Sequence, residues 1–157
     1  VCDVANDNGA GQVVVSGDVG AVERAVDLAK ARGAKRAVLL PVSAPFHCAL
    51  MKPAAVAMEE ALGSVAVTAP VVPLVANVVA GPISDPDEIR ARLVEQVTSM
   101  VRWRESISWL SDAGVDQFVE IGSGKVLSGL ARRIVNGAQT LTIGVPDDID
   151  AAMAQLS

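Results

Sequence analysis

From residue 41 onward, helical segments alternate with short apolar strands, and this alternation limits the possible folds more than any other feature of the sequence. Two strands joined by a helix lie parallel in one sheet. Apolar residues make up 51% of the chain and aromatic residues only 3%, so the core must consist of Ala, Val, Leu and Ile, as in buried α/β sheets. The sequence therefore predicts an α/β fold with a mostly parallel sheet.

The first 42 residues have a different order of elements, strand–strand–helix–strand. A ferredoxin-like βαββαβ unit without its first strand and helix has the same order. We therefore predict a partial ferredoxin-like subdomain at 1–42, followed at 43–157 by a second α/β unit. In the first unit, the predicted elements are strands 1–5, 12–16 and 37–40 and a helix at 21–32. In the second, they are helices 49–62, 86–97, 103–112, 125–135 and 148–155 and strands 71–79, 117–121 and 141–143.

Charge and composition exclude several classes of function. The net charge is −5 and the chain has no Tyr and two Phe, so it lacks the basic surface and stacking rings of a nucleic-acid binder. Cys2 and Cys48 lie far apart and His47 is the single histidine, which argues against a zinc site or a disulfide framework and favours a reducing cytoplasm. No apolar run is long enough to span a membrane. The chain begins with Val1, which suggests that it starts inside a longer protein.

His47 is the main candidate for chemistry. It lies between a proline-rich connection and a helix, the kind of junction where α/β proteins place functional residues. A neutral imidazole there can take a proton from a serine or thiol nucleophile. From position alone, a structural histidine bonded to a backbone carbonyl is the simpler interpretation.

The residues around His47 favour the catalytic interpretation. Residues 42–54 read Val-Ser-Ala-Pro-Phe-His-Cys-Ala-Leu-Met-Lys-Pro-Ala and closely resemble the second catalytic segment of the malonyl-CoA:acyl-carrier-protein transacylases, a family that includes acyltransferase domains of polyketide and fatty-acid synthases. The resemblance covers the whole chain, including the segments 4–6, 11–17, 21–25, 74–78 and 120–130. It implies the C-terminal half of such an enzyme, with 43–157 as the C-terminal part of an α/β-hydrolase-like parallel-sheet domain and His47 as the catalytic base.

The resemblance also assigns the surroundings of the base. Gln96 matches the position whose backbone carbonyl orients the catalytic histidine, a task for which the side chain matters little. Phe46 resembles the malonyl-preferring form of the motif, because a ring there would crowd an α-methyl group on the substrate. Asn6 and Asn77 are expected to line the substrate cleft.

A basic cluster is expected to meet the carrier protein. Arg132 and Arg133 form a basic cluster with Lys125, a turn or two earlier, and such a cluster would attract an acidic partner. In the family that the chain resembles, the matching arginine pair lies near the carrier-protein entrance. The charge pattern by itself is equally consistent with a solvated helix face. Ser123 stands where the family usually has Pro, a difference that affects the stiffness of the turn.

The family's nucleophile has no counterpart in this sequence. It is a serine in a Gly-His-Ser-x-Gly elbow, and no Gly-x-Ser-x-Gly occurs among the 157 residues. Counterparts are also lacking for the arginine that binds the malonyl carboxylate and for the glutamine of the oxyanion hole. The resemblance therefore implies that His47 works with a serine outside this sequence.

The implied reaction moves malonyl from malonyl-CoA to the phosphopantetheine thiol of acyl carrier protein, in fatty acid biosynthesis. It requires no metal or redox cofactor, and the full-length enzyme is expected to be a cytoplasmic monomer that contacts neither nucleic acid nor membrane. Two alternatives remain open: a polyketide-synthase acyltransferase domain, and a non-catalytic α/β module that binds CoA or a partner protein. A Gly-His-Ser-x-Gly segment upstream in the parent would favour an enzyme over the module.

Overall fold

The computed structural model describes residues 1–156, and its helices and short strands confirm an α/β protein. Every predicted helix is present, with ends within two residues of the predicted ones once the 3₁₀ turn Ala49–Met51 is joined to α2. The elements are β1 (Cys2–Asp7), β2 (Val13–Gly17), α1 (Val19–Ala31), α2 (Lys52–Gly63), β3 (Leu74–Ala76), β4 (Gly81–Ile83), α3 (Pro86–Gln96), α4 (Trp103–Asp112), β5 (Gln117–Ile121), α5 (Val126–Ile134), β6 (Gln139–Ile143) and α6 (Asp148–Leu156).

Within residues 1–156, the strands form three separate two-stranded sheets. β1 pairs antiparallel with β2, and β3 pairs antiparallel with β4. β5 and β6 pair in parallel and are joined by α5, as a strand–helix–strand crossover requires. The prediction of a mostly parallel sheet is therefore wrong for residues 1–156, in which parallel ladder pairing is confined to β5 and β6, apart from a single bridge at Asn6.

Two predicted strands differ from the structure. Residues 37–40 form no strand, and Val38, Leu39 and Leu40 are more than half exposed. An apolar run becomes a strand only when another segment pairs with its backbone groups, and the run itself does not specify that partner. The predicted strand 71–79 shortens to β3, and the Gly81-Pro82 pair predicted to break the chain instead begins β4.

Short-range sequence signals explain why the other elements begin where they do. Asp85 caps α3, because its Oδ1 accepts hydrogen bonds from the backbone N–H groups of Asp87 at 3.1 Å and Glu88 at 2.9 Å, while Pro86 occupies the first turn. The β1–β2 turn contains Gly9, whose φ is +78° and whose added Cβ would lie 2.8 Å from Cγ1 of Ile134. Glycine is thus required there both for the turn and for the close approach to α5.

Much of the apolar content is exposed. Val126 and Ile121 are 70% and 78% exposed, and Val71 is fully exposed. Exposed apolar surface on this scale is typical of a surface that another polypeptide covers. None of the helices within residues 1–156 has the length and apolar character needed to cross a bilayer. The buried apolar residues are Ala5, Cys48, Ile83, Ile89, Ile107, Leu130, Ala131 and Ala152.

Candidate active site

His47 lies in a tight turn at the end of the proline-rich connection. The backbone N–H of Phe46 donates to the carbonyl of Ala44 at 3.0 Å, and the thiol of the fully buried Cys48 donates to the carbonyl of Pro45 at 3.1 Å. His47 itself has a φ of +60°, a conformation that costs a non-glycine residue of order 1–2 kcal/mol. Such conformations cluster at functional sites, where surrounding contacts hold them in place.

The ring of His47 contacts the end of α3. Its Nδ1 lies 3.0 Å from the backbone carbonyl oxygen of Gln96, 49 residues away in the sequence. A carbonyl oxygen can only accept, so the ring must donate from Nδ1. In the neutral ring, Nε2 then carries no hydrogen and can accept a proton. The structure therefore brings the two predicted residues together in the arrangement that a general base needs.

The segment that follows His47 is held by a contact that sequence reasoning missed. The backbone N–H of Ala49, at the start of the 3₁₀ turn, donates to Oδ2 of Asp3 at 3.0 Å, and Asp3 belongs to β1. The two residues are 46 positions apart. An acidic residue in a strand carries no sequence signal for such a cap, because the pairing depends on how folding brings β1 beside the 3₁₀ turn.

Asn6 and Asn77 lie beside consecutive residues of the segment that connects α3 to α4. Asn6 forms an isolated parallel bridge with Val101, and the backbone carbonyl of Asn77 accepts a hydrogen bond from the N–H of Arg102 at 3.1 Å. Both asparagines are half-buried. Phe46 precedes His47 directly and is 49% exposed. That these three residues line a substrate cleft stays a prediction.

Two arginines near these asparagines were not found from the sequence. The Arg102 guanidinium donates to the carbonyl of Val79 at 3.1 Å and also bonds to Glu105. The Arg104 Nε donates to Asp7 at 2.8 Å. Hydrogen bonds from Arg102 and Arg104 lower the pKa of the Glu105 and Asp7 carboxyls, respectively, below their ordinary values. The Arg102–Glu105 pair has the i,i+3 spacing of a helix ion pair, whereas Arg104 and Asp7 are 97 positions apart and the sequence gives no sign of their contact.

The predicted basic cluster lies at the two ends of α5. Lys125 precedes the helix, Arg132 and Arg133 are in its last turn, and all three side chains are exposed. The helix is anchored to β5 by Glu120, which accepts hydrogen bonds from the N–H groups of Ser128 at 2.8 Å and Leu127 at 3.1 Å. The Ser128 hydroxyl and these backbone groups lower the pKa of Glu120. Glu120 therefore fixes the helix that carries the cluster.

The His47 ring forms no hydrogen bond to a serine or cysteine side chain within residues 1–156. The described residues thus contain an oriented candidate base, His47, and its backbone acceptor, Gln96, but no nucleophile that is hydrogen-bonded to the ring. Such a base can act on a hydroxyl or thiol placed beside Nε2.

Comparisons with known proteins agree over almost the whole chain. No family model matches. The chain is 44% identical over 153 residues to a malonyl CoA-acyl carrier protein transacylase of Bacillus subtilis, covering 98% of this chain and 48% of the relative. It also superposes on the crystal structure of an acyl-carrier-protein S-malonyltransferase from Bartonella henselae with a TM-score of 0.94 and 60% identity, covering 99% of this chain and 50% of that one.

A second similar structure contains a partner. It is a malonyl-transacylase in complex with its type II polyketide-synthase acyl-carrier protein, with a TM-score of 0.93 and 41% identity, covering 99% of this chain and 50% of that one. The chain thus spans about half the length of the curated relatives it matches. The identity and the fold thus agree from end to end of this chain, which is similar over its whole length to about half of a malonyl CoA-acyl carrier protein transacylase.

Proposed function

We propose that this chain supplies the base of a serine–histidine dyad that transfers malonyl from malonyl-CoA to the phosphopantetheine thiol of acyl carrier protein. The hydrogen bond from His47 Nδ1 to the Gln96 carbonyl carries the proposal, because it leaves Nε2 as the proton acceptor. The positive φ of His47 supports it further, since strain of this kind is unexpected in a histidine that only fills space.

In the first half-reaction, Nε2 of His47 accepts the proton of a serine hydroxyl while the serine oxygen attacks the thioester carbonyl of malonyl-CoA. The imidazolium then gives this proton to the departing CoA sulfur, and malonyl remains on the serine as an ester. In the second half, His47 takes the proton of the phosphopantetheine thiol, which attacks the ester, and returns it to the serine oxygen. The Gln96 carbonyl holds the ring orientation throughout, as a carboxylate does in a protease triad.

The serine is proposed to lie in the part of the relatives that this chain does not cover. The chain contains no Gly-x-Ser-x-Gly elbow, and it matches only about half of each relative. Ser123 is not proposed as the nucleophile. Its Gly-Ser-Gly turn has a structural task, because it connects β5 to α5, two elements that the hydrogen bond from the Ser128 N–H to Glu120 holds together.

Phe46, Asn6 and Asn77 are proposed to contact the acyl group and its CoA arm. Phe46 directly precedes the base, so its half-exposed ring can limit the size of the acyl substituent. A single methyl group typically changes the rate by about 10- to 200-fold. The bridge from Asn6 to Val101 and the hydrogen bond from Arg102 to Asn77 support this role, because Val101 and Arg102 belong to the segment that follows Gln96.

The surface formed by Lys125, Arg132 and Arg133 is proposed to bind the carrier protein. The three cations are exposed, Lys125 just before α5 and the two arginines in its last turn, and Glu120 anchors this helix. Carrier-protein binding by a similar protein is documented by the malonyl-transacylase complex. Long-range attraction between a basic surface and an acidic partner raises the association rate.

Charge reversal at this surface provides a test. In the full-length parent, the double variant Arg132→Glu and Arg133→Glu is expected to raise the KM for carrier protein by about tenfold and to flatten its salt dependence, because rim charges mainly steer association. Arg24→Glu, an exposed reversal on α1, is the control. Steady-state kinetics at two salt concentrations measure both variants, and an unchanged KM in the double variant would contradict the assignment.

We propose, more finely, that residues 1–42 belong to a ferredoxin-like subdomain and residues 43–157 to an α/β-hydrolase-like domain of a cytoplasmic, monomeric enzyme. The order β1–β2–α1 supports the first assignment, and the parallel β5–α5–β6 unit supports the second. The two free cysteines, Cys2 and Cys48, are consistent with a reducing compartment.

The full-length parent provides the direct test. Incubated with radiolabelled malonyl-CoA and phosphopantetheinylated carrier protein, it is expected to label the carrier, and to use methylmalonyl-CoA more slowly because of Phe46. No cofactor is added. Labelling of a polyketide-type carrier in preference to a fatty-acid carrier would support the polyketide alternative. Binding of CoA without any transfer would instead support the non-catalytic module.

A further inference from the structure

We propose that the side-chain amide of Gln96, and not only its backbone carbonyl, positions the His47 ring. The resemblance had assigned the task to the backbone alone, with little role for the side chain. The proposal rests on the proposed function, since it concerns how the same base is held, and it makes Gln96 a positioning residue that need not touch the substrate.

The carbonyl of Gln96 is available because α3 ends at this residue. Carbonyls in the last turn of a helix have no intrahelical donor, so this one is free to accept from His47 Nδ1 at 3.0 Å. Its direction is not independent, because the carbonyl shares one rigid peptide plane with the N–H of Val97. The path of the chain immediately after Gln96 therefore decides where the acceptor points.

The Gln96 side chain fixes that path. Its Nε2 donates to the backbone carbonyl of Ser99 at 2.9 Å and so closes a loop over the three residues that follow α3. The reverse amide orientation would bring two oxygen atoms together, so the contact requires the amide as a donor. Within residues 1–156, the buried Oε1 of Gln96 accepts no hydrogen bond. An unpaired buried acceptor is unfavourable. If the side chain at position 96 only filled space, methionine would therefore be more favourable there than glutamine.

The far end of the same segment is held separately. The N–H of Val101 donates to the carbonyl of Ala5 at 2.8 Å, and the N–H of Arg102 donates to the carbonyl of Asn77 at 3.1 Å. Gln96 thus supplies the anchor at the end nearer the base. Without the Gln96 amide, the peptide plane after Gln96 can rotate, and Nδ1 of His47 then loses its acceptor. The ring can then take the tautomer with hydrogen on Nε2, and in that tautomer Nε2 cannot accept a proton.

The tautomer of His47 is the readout that a merely structural role would not change. His47 is the single histidine of the chain, so ¹⁵N spectra of its ring at a pH where it is neutral need no assignment. The wild-type chain is expected to show mainly the Nδ1–H tautomer. Gln96→Met, which has a side chain of similar length without a donor, is expected to lower the ratio of Nδ1–H to Nε2–H at least about fivefold, the factor expected for one lost hydrogen bond.

Two further variants sharpen the experiment. In Gln96→Glu the new side chain has the shape of glutamine, but its carboxylate cannot donate. This variant is therefore expected to shift the tautomer ratio as Gln96→Met does, and it replaces Gln96→Met in the experiment if that variant does not fold. Ser99→Ala is the control, because the acceptor is a backbone carbonyl and the ratio should stay unchanged. In the full-length parent, Gln96→Met is expected to lower kcat about fivefold with little change in the KM for malonyl-CoA.

The outcomes separate this proposal from the proposed function. A wild-type tautomer ratio in a folded Gln96→Met or Gln96→Glu chain would overturn the positioning role, whatever the activity. A shifted ratio together with a full-length parent that transfers no malonyl would overturn the proposed function and leave the positioning role in place. An equal shift of the tautomer ratio in Ser99→Ala would also overturn the positioning role of Gln96, because the ratio would then report a general loosening of the segment.

Discussion

The variant His47→Asn of the full-length parent is expected to transfer malonyl about 10³-fold more slowly than the wild type, because general base catalysis contributes roughly this factor. Asparagine suits this position because it tolerates a positive φ and its amide can still donate to the Gln96 carbonyl. The variant therefore keeps the turn and removes only the proton acceptor. Single-turnover acylation by radiolabelled malonyl-CoA measures the loss.

Two controls accompany this variant. His47→Ala should lose activity to a similar extent and should be less stable, since alanine tolerates the left-handed conformation poorly. Ser123→Ala should keep nearly full activity, because Ser123 lies in the β5–α5 turn and the described His47 ring bonds to Gln96 and not to this hydroxyl. If His47→Asn kept most of the wild-type rate, His47 would not be the base.

The second large effect is expected for the chain by itself. The 157-residue chain should transfer no malonyl above the uncatalysed background, because its sequence holds no Gly-x-Ser-x-Gly elbow and a histidine without its nucleophile supplies only half of a dyad. The full-length parent at equal concentration is the positive control. Transfer by the purified chain would contradict the assignment of the nucleophile to a region outside it.

Adding back the missing part makes this experiment sharper. A separate polypeptide covering the other half of the parent, with its Gly-His-Ser-x-Gly segment, is expected to restore some transfer when mixed with the chain. The large exposed apolar side chains, such as Ile121 and Val126, give such a polypeptide a surface to cover. The same mixture with serine replaced by alanine in the elbow should stay inactive, which distinguishes a restored dyad from simple stabilisation.

Local signals made much of the fold predictable. Asp85 followed by Pro86 and two acids specified the start of α3, and the asparagine–glycine run specified the turn between β1 and β2, because caps and turns depend on residues a few positions apart. The strand predicted at 37–40 is absent because a strand also requires a pairing partner, and the apolar run does not encode one. The motif around His47 identified the candidate base because the neighbouring residues resemble a known family.

The sequence by itself determined the helices, the family and the identity of the candidate base, since each is written in adjacent or regularly spaced residues. Only the tertiary structure decided how the base is held. The bond from His47 to the Gln96 carbonyl and the cap of Ala49 by Asp3 join residues 49 and 46 positions apart. The bond from the Gln96 amide to Ser99 closes the turn that follows α3. Hydrogen bonds form between groups that folding brings within about 3 Å, and sequence spacing carries no information about that approach.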